Sequence, residues 1–365
     1  MATITFNNAK KNKADEFYTQ LVDIEKEVGA YLEFNPDVFK NKTVLCPCDD
    51  PYESNFFKYF ALHFNNLGLK KLISTCYMGS PIAGTQLTLF PDEPEDDKTT
   101  RAPHKVEITE VADYNADGAV DLSDVEWLLA NEKNVLTRLK GDGDFRSDEI
   151  KALLDEADFV ITNPPFSLFR EFMALIMEAR KQFLVISNMN AITYKEIFPL
   201  IKDNRMWMGL AFGRSFQGFI VPKSYPLNGS EARIDAQGNR IVSTNNTIWL
   251  TNIDHGSRHQ PLQLMTMDGN FKFSKRKEIK NKKAYDKYDN YDAIEVPFTD
   301  AIPSDYDGVM GVPISFLHKY CPEQFEIIKF RKGDDGKDLS IKGKCPYFRI
   351  LIKKKHNELL PFSVI

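Results

Sequence analysis

Asp158-Phe159-Val160-Ile161-Thr162, followed at once by Asn163-Pro164-Pro165-Phe166, is the stretch on which the fold turns. Its apolar half has the length and β-branched content of a strand buried on both faces, as in a parallel sheet. Consecutive prolines fix their own φ and push each preceding residue towards extended geometry, so the strand ends in a stiff loop. The Asn163 side-chain oxygen and the Pro164 carbonyl oxygen are acceptors held in set directions, and Phe166 adds a ring face. That group of atoms suits a planar exocyclic amine with two N–H bonds, on a heterocycle that stacks against the ring. Taken without its surroundings, the same run also describes a tight Pro-Pro turn ahead of a helix.

The chemistry that fits these residues is methylation of a base amine. The lone pair of an adenine amino group is delocalised into the ring, and accepting both hydrogens favours the pyramidal form that frees it. Positive charge grows on the nitrogen as methyl arrives, so oxygens facing it stabilise the transition state more than the ground state. No covalent enzyme intermediate is required. The expected catalytic set is Asn163, Pro164, Pro165 and Phe166, and a target inside a duplex has to be swung out to meet it.

Working outward, 42–49, 54–66 and 70–77 read as strand, amphipathic helix and strand, and 158–162, 168–179 and 182–187 repeat the order. Two such units predict a parallel sheet with helices on both faces and ligands at the carboxyl ends of its strands. The loop Cys46-Pro47-Cys48-Asp49-Asp50-Pro51 lies at one such end and lacks a GxGxxG pattern. A carboxylate there, Asp49 or Asp50, suits a cationic amino group, although an acid beside a helix N-terminus has the same letters. Between 79 and 140 Pro, Asp, Glu and Thr predominate, which reads as a solvated acidic insertion. Strand-like runs at 207–221 and 241–253 are expected to complete the sheet as an antiparallel hairpin.

A chain of 365 residues, 42% hydrophobic and 12% aromatic, has material for a large core and two domains, expected at 1–254 and 255–365. The sequence has no apolar run of membrane-spanning length and no export signal at its start, so a cytoplasmic location is expected. Five cysteines without paired CxxC spacing point to reduced thiols rather than a zinc site. The net charge of −5 leaves nucleic-acid binding to local clusters of basic residues. One such cluster holds Lys272, Lys275, Arg276, Lys277, Lys280, Lys282 and Lys283, interleaved with Phe271, Phe273, Tyr285, Tyr288 and Tyr291. Cations with aromatics nearby are the footprint of a DNA-binding surface, though Asp286, Asp289 and Asp292 dilute the field.

Within the insertion Asp113, Asn115, Asp117, Asp121 and Asp124 match the liganding pattern of a calcium loop, with Gly118 and Val120 in register. Position twelve is an Asp rather than a bidentate Glu, and an acidic turn with a helix cap explains the same letters. His255 and His259 read as loop histidines with satisfied partners rather than as metal ligands.

Asn163-Pro164-Pro165-Phe166 resembles the catalytic motif of amino-group methyltransferases that use S-adenosylmethionine, and most of the chain resembles the EcoRI-type modification methylases, which are adenine-specific DNA methyltransferases. The likeness runs through 15–20, Cys48-Asp49-Asp50-Pro51, 54–60, 141–147 and 308–313. It implies a Rossmann-like methyltransferase sheet with a C-terminal target-recognition region, and duplex DNA methylated at adenine N6 within GAATTC. It also implies cofactor contacts at Phe17, Tyr18 and Thr19, at Cys48, Asp49 and Asp50, and at Asp144 and Phe145. A monomer is expected, serving beside a restriction endonuclease of the same site without a stable complex. Two other readings stay open on the motif alone: methylation of another planar amine (RNA adenine, cytosine or protein glutamine), and a non-catalytic DNA-binding protein on this fold.

Overall fold

The computed structural model describes residues 18–49, 54–76, 103–131, 136–212, 215–221, 232–242, 246–331, 339–345 and 348–355. The chain divides into two compact units, Met1–Ala191 with Gly209–Ile253, and Ile192–Met208 with Asp254–Ile365. The stretch 192–208 thus groups with the C-terminal unit, where the sequence reading cut the chain once, near 254.

The first unit opens with β1 (Tyr18–Thr19), α1 (Leu21–Phe34), β2 (Thr43–Cys46), α2 (Asn55–Leu62), its short continuation α3 (Phe64–Leu67) and β3 (Lys71–Thr75). Then come β4 (His104–Ile108), α4 (Leu122–Asn131), β5 (Leu136–Arg138), α5 (Asp148–Glu156), β6 (Phe159–Thr162), α6 (Phe169–Glu178) and β7 (Gln182–Asn188). After α7 (Phe198–Lys202), which lies in the second unit, follow β8 (Trp207–Phe212), β9 (Phe219–Val221), β10 (Ala232–Ile234), β11 (Arg240–Val242) and β12 (Thr247–Thr251).

The main sheet runs β5-β4-β3-β2-β6-β7-β12-β8. Its centre is parallel: β2 pairs with β3 (Cys46 opposite Ser74) and with β6, and β6 with β7. Both strand–helix–strand readings hold. Alternate residues Val44, Phe159, Ile161, Leu184 and Ile186 join α1, α2 and α4 in one cluster. Their neighbours Leu45, Val160, Phe183 and Val185 are also fully buried, so both faces are covered and the strands are apolar throughout. Helix α2 starts where it does because the Ser54 hydroxyl accepts from the N–H groups of Phe56 and Phe57.

Two expectations need correcting. The 79–140 stretch is not a solvated insertion throughout, because β4 pairs antiparallel with β3 and β5 with β4, which lengthens the sheet. The runs 207–221 and 241–253 complete the main sheet only in part: β12 joins β7 antiparallel with β8 beside it at the edge, whereas β9 and β11 pair antiparallel in a separate sheet, β1-β9-β11-β10. Both errors share a cause, since short runs read by composition do not reveal which distant strand offers a free edge.

Helix α1 is tied to this architecture by two buried acids one turn apart. Glu27 accepts from the Tyr31 hydroxyl (2.7 Å) and from the N–H groups of Leu210 (2.8 Å) and Ala211 (3.0 Å), while Asp23 accepts from that of Gln217 (2.9 Å). Burial pushes Glu27 up to about 7 and Asp23 up to about 6, against the opposing effect of these donors. Gly209 is required beside them, because a Cβ there would overlap Glu27 Oε1 and the Trp249 Cβ.

The second unit carries α8 (Met267–Phe273), β13 (Ala293–Glu295), β14 (Val309–Pro313), β15 (Phe325–Arg331) and β16 (Arg349–Lys354), with strands in the order β13-β14-β16-β15. Buried Glu295 accepts from Arg349 Nε (2.8 Å) and Nη2 (2.5 Å) and from the Tyr288 hydroxyl. His259 bridges Asp254 (2.8 Å) and Glu323 (2.9 Å), and His255 Nε2 reaches the Met208 carbonyl at 3.1 Å. Each histidine thus has hydrogen-bond partners within this unit, His259 at the end of the short 3-10 helix Gly256–His259. Among the described residues no helix is long and apolar enough to cross a membrane.

Candidate active site

In the strand order β3-β2-β6-β7 the chain leaves β2 towards one side of the sheet and leaves β6 towards the other. A doubly wound sheet opens a crevice beyond the carboxyl ends of its strands at such a switch point. Two loops meet there: residues 47–49 after β2, and Asn163-Pro164-Pro165-Phe166 after β6.

Asp49, 6% exposed, ties the loops together. Its Oδ1 accepts from the Ser54 hydroxyl at 2.6 Å and its Oδ2 from the Thr162 hydroxyl at 2.5 Å. Ser54 is the N-cap of α2 and Thr162 immediately precedes Asn163, so one carboxylate links the β2 loop, a helix start and the proline loop. Its charge also sits favourably at the positive end of α2. The β2 loop is clamped from β3 as well: the Asp49 N–H donates to the Thr75 carbonyl (3.2 Å), the Thr75 hydroxyl to the Pro47 carbonyl (3.0 Å), and the Ser74 hydroxyl to the Asp49 carbonyl. Asp49 therefore holds the two loops against the start of α2. Asp50, the other candidate for the cationic group, lies outside the described residues, as does Phe17.

On the proline loop, Pro164 is buried and Asn163, Pro165 and Phe166 are half-buried. Pro165 has φ −55° and ψ 122°, and its carbonyl accepts from the Leu168 N–H at 3.0 Å, opening the turn that leads into α6. Phe166 packs against the main core. The loop is thus held at its start by Thr162 and at its end by the core.

Thr19 comes to the same region, for the Asn55 side chain at the start of α2 donates to its carbonyl at 2.8 Å. The buried Thr19 hydroxyl finds no hydrogen-bond partner among the described residues. An unsatisfied buried hydroxyl costs about 1–3 kcal/mol, which a polar ligand group relieves. A buried hydroxyl of this kind, near the start of α2, fits the polar amino-acid end of S-adenosylmethionine. Tyr18 pairs in β1 opposite Ile220, and Cys48 is half-buried.

Asp144 and Phe145 lie before α5 and pack towards α6. The Phe145 ring, 5% exposed, meets Phe172 edge to face at 5.2 Å. Asp144 accepts from Arg146 Nε (2.8 Å) and Nη2 (2.6 Å), and this guanidinium holds its carboxyl below the usual range.

The acidic loop of the calcium reading is a turn that satisfies itself. Asp113 accepts from the N–H groups of Asp117 (3.2 Å) and Gly118 (2.8 Å), and buried Asp124 from those of Tyr114 (2.7 Å), Asn115 (3.2 Å) and Asp121 (2.9 Å). Asp121 in turn accepts from the Ser123 N–H at 2.7 Å, and Asp117 from that of Ala119 at 3.0 Å. These main-chain donors, that of Asp121 first, hold the Asp124 carboxyl low. Among the described residues no group of three or more His, Cys, Asp or Glu is placed to hold a metal ion, so calcium binding has no support here.

In the second unit, Lys272, Lys275, Arg276, Lys277, Lys280 and Lys283 are exposed and Lys282 is half-buried. Arg276 pairs with Asp300 at 3.3 Å and covers the Phe298 ring at 4.7 Å, and Lys282 pairs with Asp286 at 2.6 Å. The aromatic expectation is corrected in part: Phe271, Tyr285 and Tyr288 are core residues, Tyr291 is half-buried and Phe273 is exposed. What the sequence reading missed are the hydroxyls of Ser54, Ser74, Thr75 and Thr162. Hydroxyl residues closing apolar strands were the available signal.

Residues 5–355 match the family described as Adenine-specific methyltransferase EcoRI. The chain is 51% identical to the Type II methyltransferase M.EcoRI of Escherichia coli over 349 residues, covering 96% of each. It is 33% identical to the Type II methyltransferase M.MpnI of Mycoplasma pneumoniae, and 34% identical to M.MgeORF184P of Mycoplasma genitalium, each across 96% of this chain and 98% of the relative. No solved structure matches it. A site of this geometry, within a match that spans nearly the whole sequence, leads to one conclusion: the chain belongs to the EcoRI family of adenine-specific methyltransferases.

Proposed function

We propose that this adenine-specific enzyme transfers methyl from S-adenosylmethionine to N6 of adenine in duplex DNA, at GAATTC, as the modification half of a restriction-modification system. The reading is carried by the placement of Asn163-Pro164-Pro165-Phe166 on the carboxyl end of β6, at the switch point beside the β2 loop. Bound S-adenosylmethionine would supply an electrophilic methyl carbon. The polypeptide's task is then positional: the Asn163 side-chain oxygen and the Pro164 carbonyl oxygen accept the two amine hydrogens, and Phe166 stacks on the extruded base. Thr19 and the β2 loop are assigned to the amino-acid end of the cofactor, and Asp144 and Phe145 to its adenine side. Target recognition is assigned to the C-terminal unit, its exposed lysines meeting phosphates.

Incubating purified protein with labelled methyl donor and a plasmid bearing GAATTC should give incorporation into DNA and protection from a nuclease that cuts that sequence. Incorporation with continued cleavage at GAATTC would reject the site. Transfer confined to RNA or protein would reject the substrate.

A further inference from the structure

Phe273 is the most exposed of the large apolar side chains described, at 73%. It is the last residue of α8, two positions beyond Phe271, and residues two apart on a helix point to nearly opposite sides. Phe271 is buried against Tyr285 at 5.1 Å, Asn270 donates to the Ala301 carbonyl at 3.1 Å, and the Tyr285 hydroxyl donates to the same carbonyl at 2.6 Å. Just beyond, Ile279 is fully buried and the Asn281 N–H donates to the Phe271 carbonyl at 2.9 Å. The backbone under Phe273 is thus pinned on both sides while its ring stands in solvent. Around it Lys272, Lys275 and Lys277 are exposed and make no ion pair among the described residues. Single exposed apolar residues are ordinary on protein surfaces. A ring on a rigid helix end amid cations free to meet phosphates is less so, because the charges bring a polyanion to an exposed group able to stack.

We propose that Phe273 is a stacking wedge for duplex DNA: its ring enters the base stack at the bound site and compensates for stacking lost when the target adenine leaves it. The proposal rests on the reading of the basic segment as a DNA surface. The test uses the full chain and a duplex carrying GAATTC with 2-aminopurine at the target adenine, whose fluorescence rises on unstacking. At saturating protein, Phe273→Ala should lower that rise, and the single-turnover methylation rate on the unmodified duplex, by about fivefold or more, the loss expected from one stacking contact. Its melting temperature and the salt dependence of its DNA affinity should match the parent, and Phe273→Trp should restore the signal. A parental fluorescence rise in Phe273→Ala, or a lowered melting temperature without rescue by Trp, overturns the wedge. Lys275→Ala with Lys277→Ala separates the two readings. An unchanged salt slope in that variant removes the segment from DNA and overturns the wedge with it; a reduced slope beside a parental rise in Phe273→Ala overturns the wedge alone.

Discussion

The loop after β6 and the basic segment after α8 are both assigned to the same reaction, yet they are built in opposite ways. Around Asn163 nearly every polar atom that sets position is buried and paired: Asp49 with Ser54 and Thr162, Thr75 with Pro47, Ser74 with the Asp49 carbonyl. Around Phe273 the backbone is pinned by buried rings, while the cations project into solvent. Chemistry on one nitrogen demands acceptors fixed to a fraction of an ångström before the substrate arrives, since only preorganised dipoles favour the transition state. A phosphate backbone is recognised by charge at longer range, for which mobile lysines suffice.

The contrast predicts unequal losses. Asn163→Ala should lower the single-turnover rate by about 10²–10³-fold, as removal of one preorganised polar contact does, with DNA affinity near the parent's. Turnover at the parental rate would show that the two regions do not divide chemistry from binding in this way.

Next in size is the pH response of the buried acids on α1. The folded state holds the Glu27 proton more tightly than the unfolded chain, so stability is fullest below about 4.5 and falls as pH rises to about 7, levelling off above. From the pKa difference the full contribution is on the order of 3 kcal/mol. Denaturant titrations from pH 4.5 to 7 should therefore show a flatter trend in Glu27→Gln than in the parent, and parallel trends would refute the assignment.

Asp49→Ala leaves the hydroxyls of Ser54 and Thr162 without their buried acceptor, at a cost of about 1–3 kcal/mol in urea unfolding, and it should slow methyl transfer by loosening the proline loop. Loss of stability with parental turnover would make Asp49 a purely structural group. The smallest effect belongs to the exposed region: Lys275→Ala with Lys277→Ala should leave stability unchanged while reducing the log–log salt slope of DNA binding by about 2.

Much of the central architecture was legible. Apolar runs bounded by a proline pair or by acids specify strands buried on both faces, and both strand–helix–strand units came out near their expected limits. The edges were not. β4 and β5 attach to a sheet edge set by β3, and β9 and β11 leave the main sheet for one shared with β1, because strand pairing depends on partners remote in sequence. In the same way the pattern of the acidic loop named its donors but not their duty, which the main-chain N–H groups of the turn have claimed.

By itself, the order of residues determined that a rigid acceptor pair with a ring follows a buried strand, since proline stereochemistry and apolar patterning act locally. Only tertiary structure decided that this loop stands at the switch point beside Asp49, and that Phe273 rather than Phe271 faces solvent. Those outcomes depend on which surfaces are left to bury, a property of the assembled fold and not of any one segment.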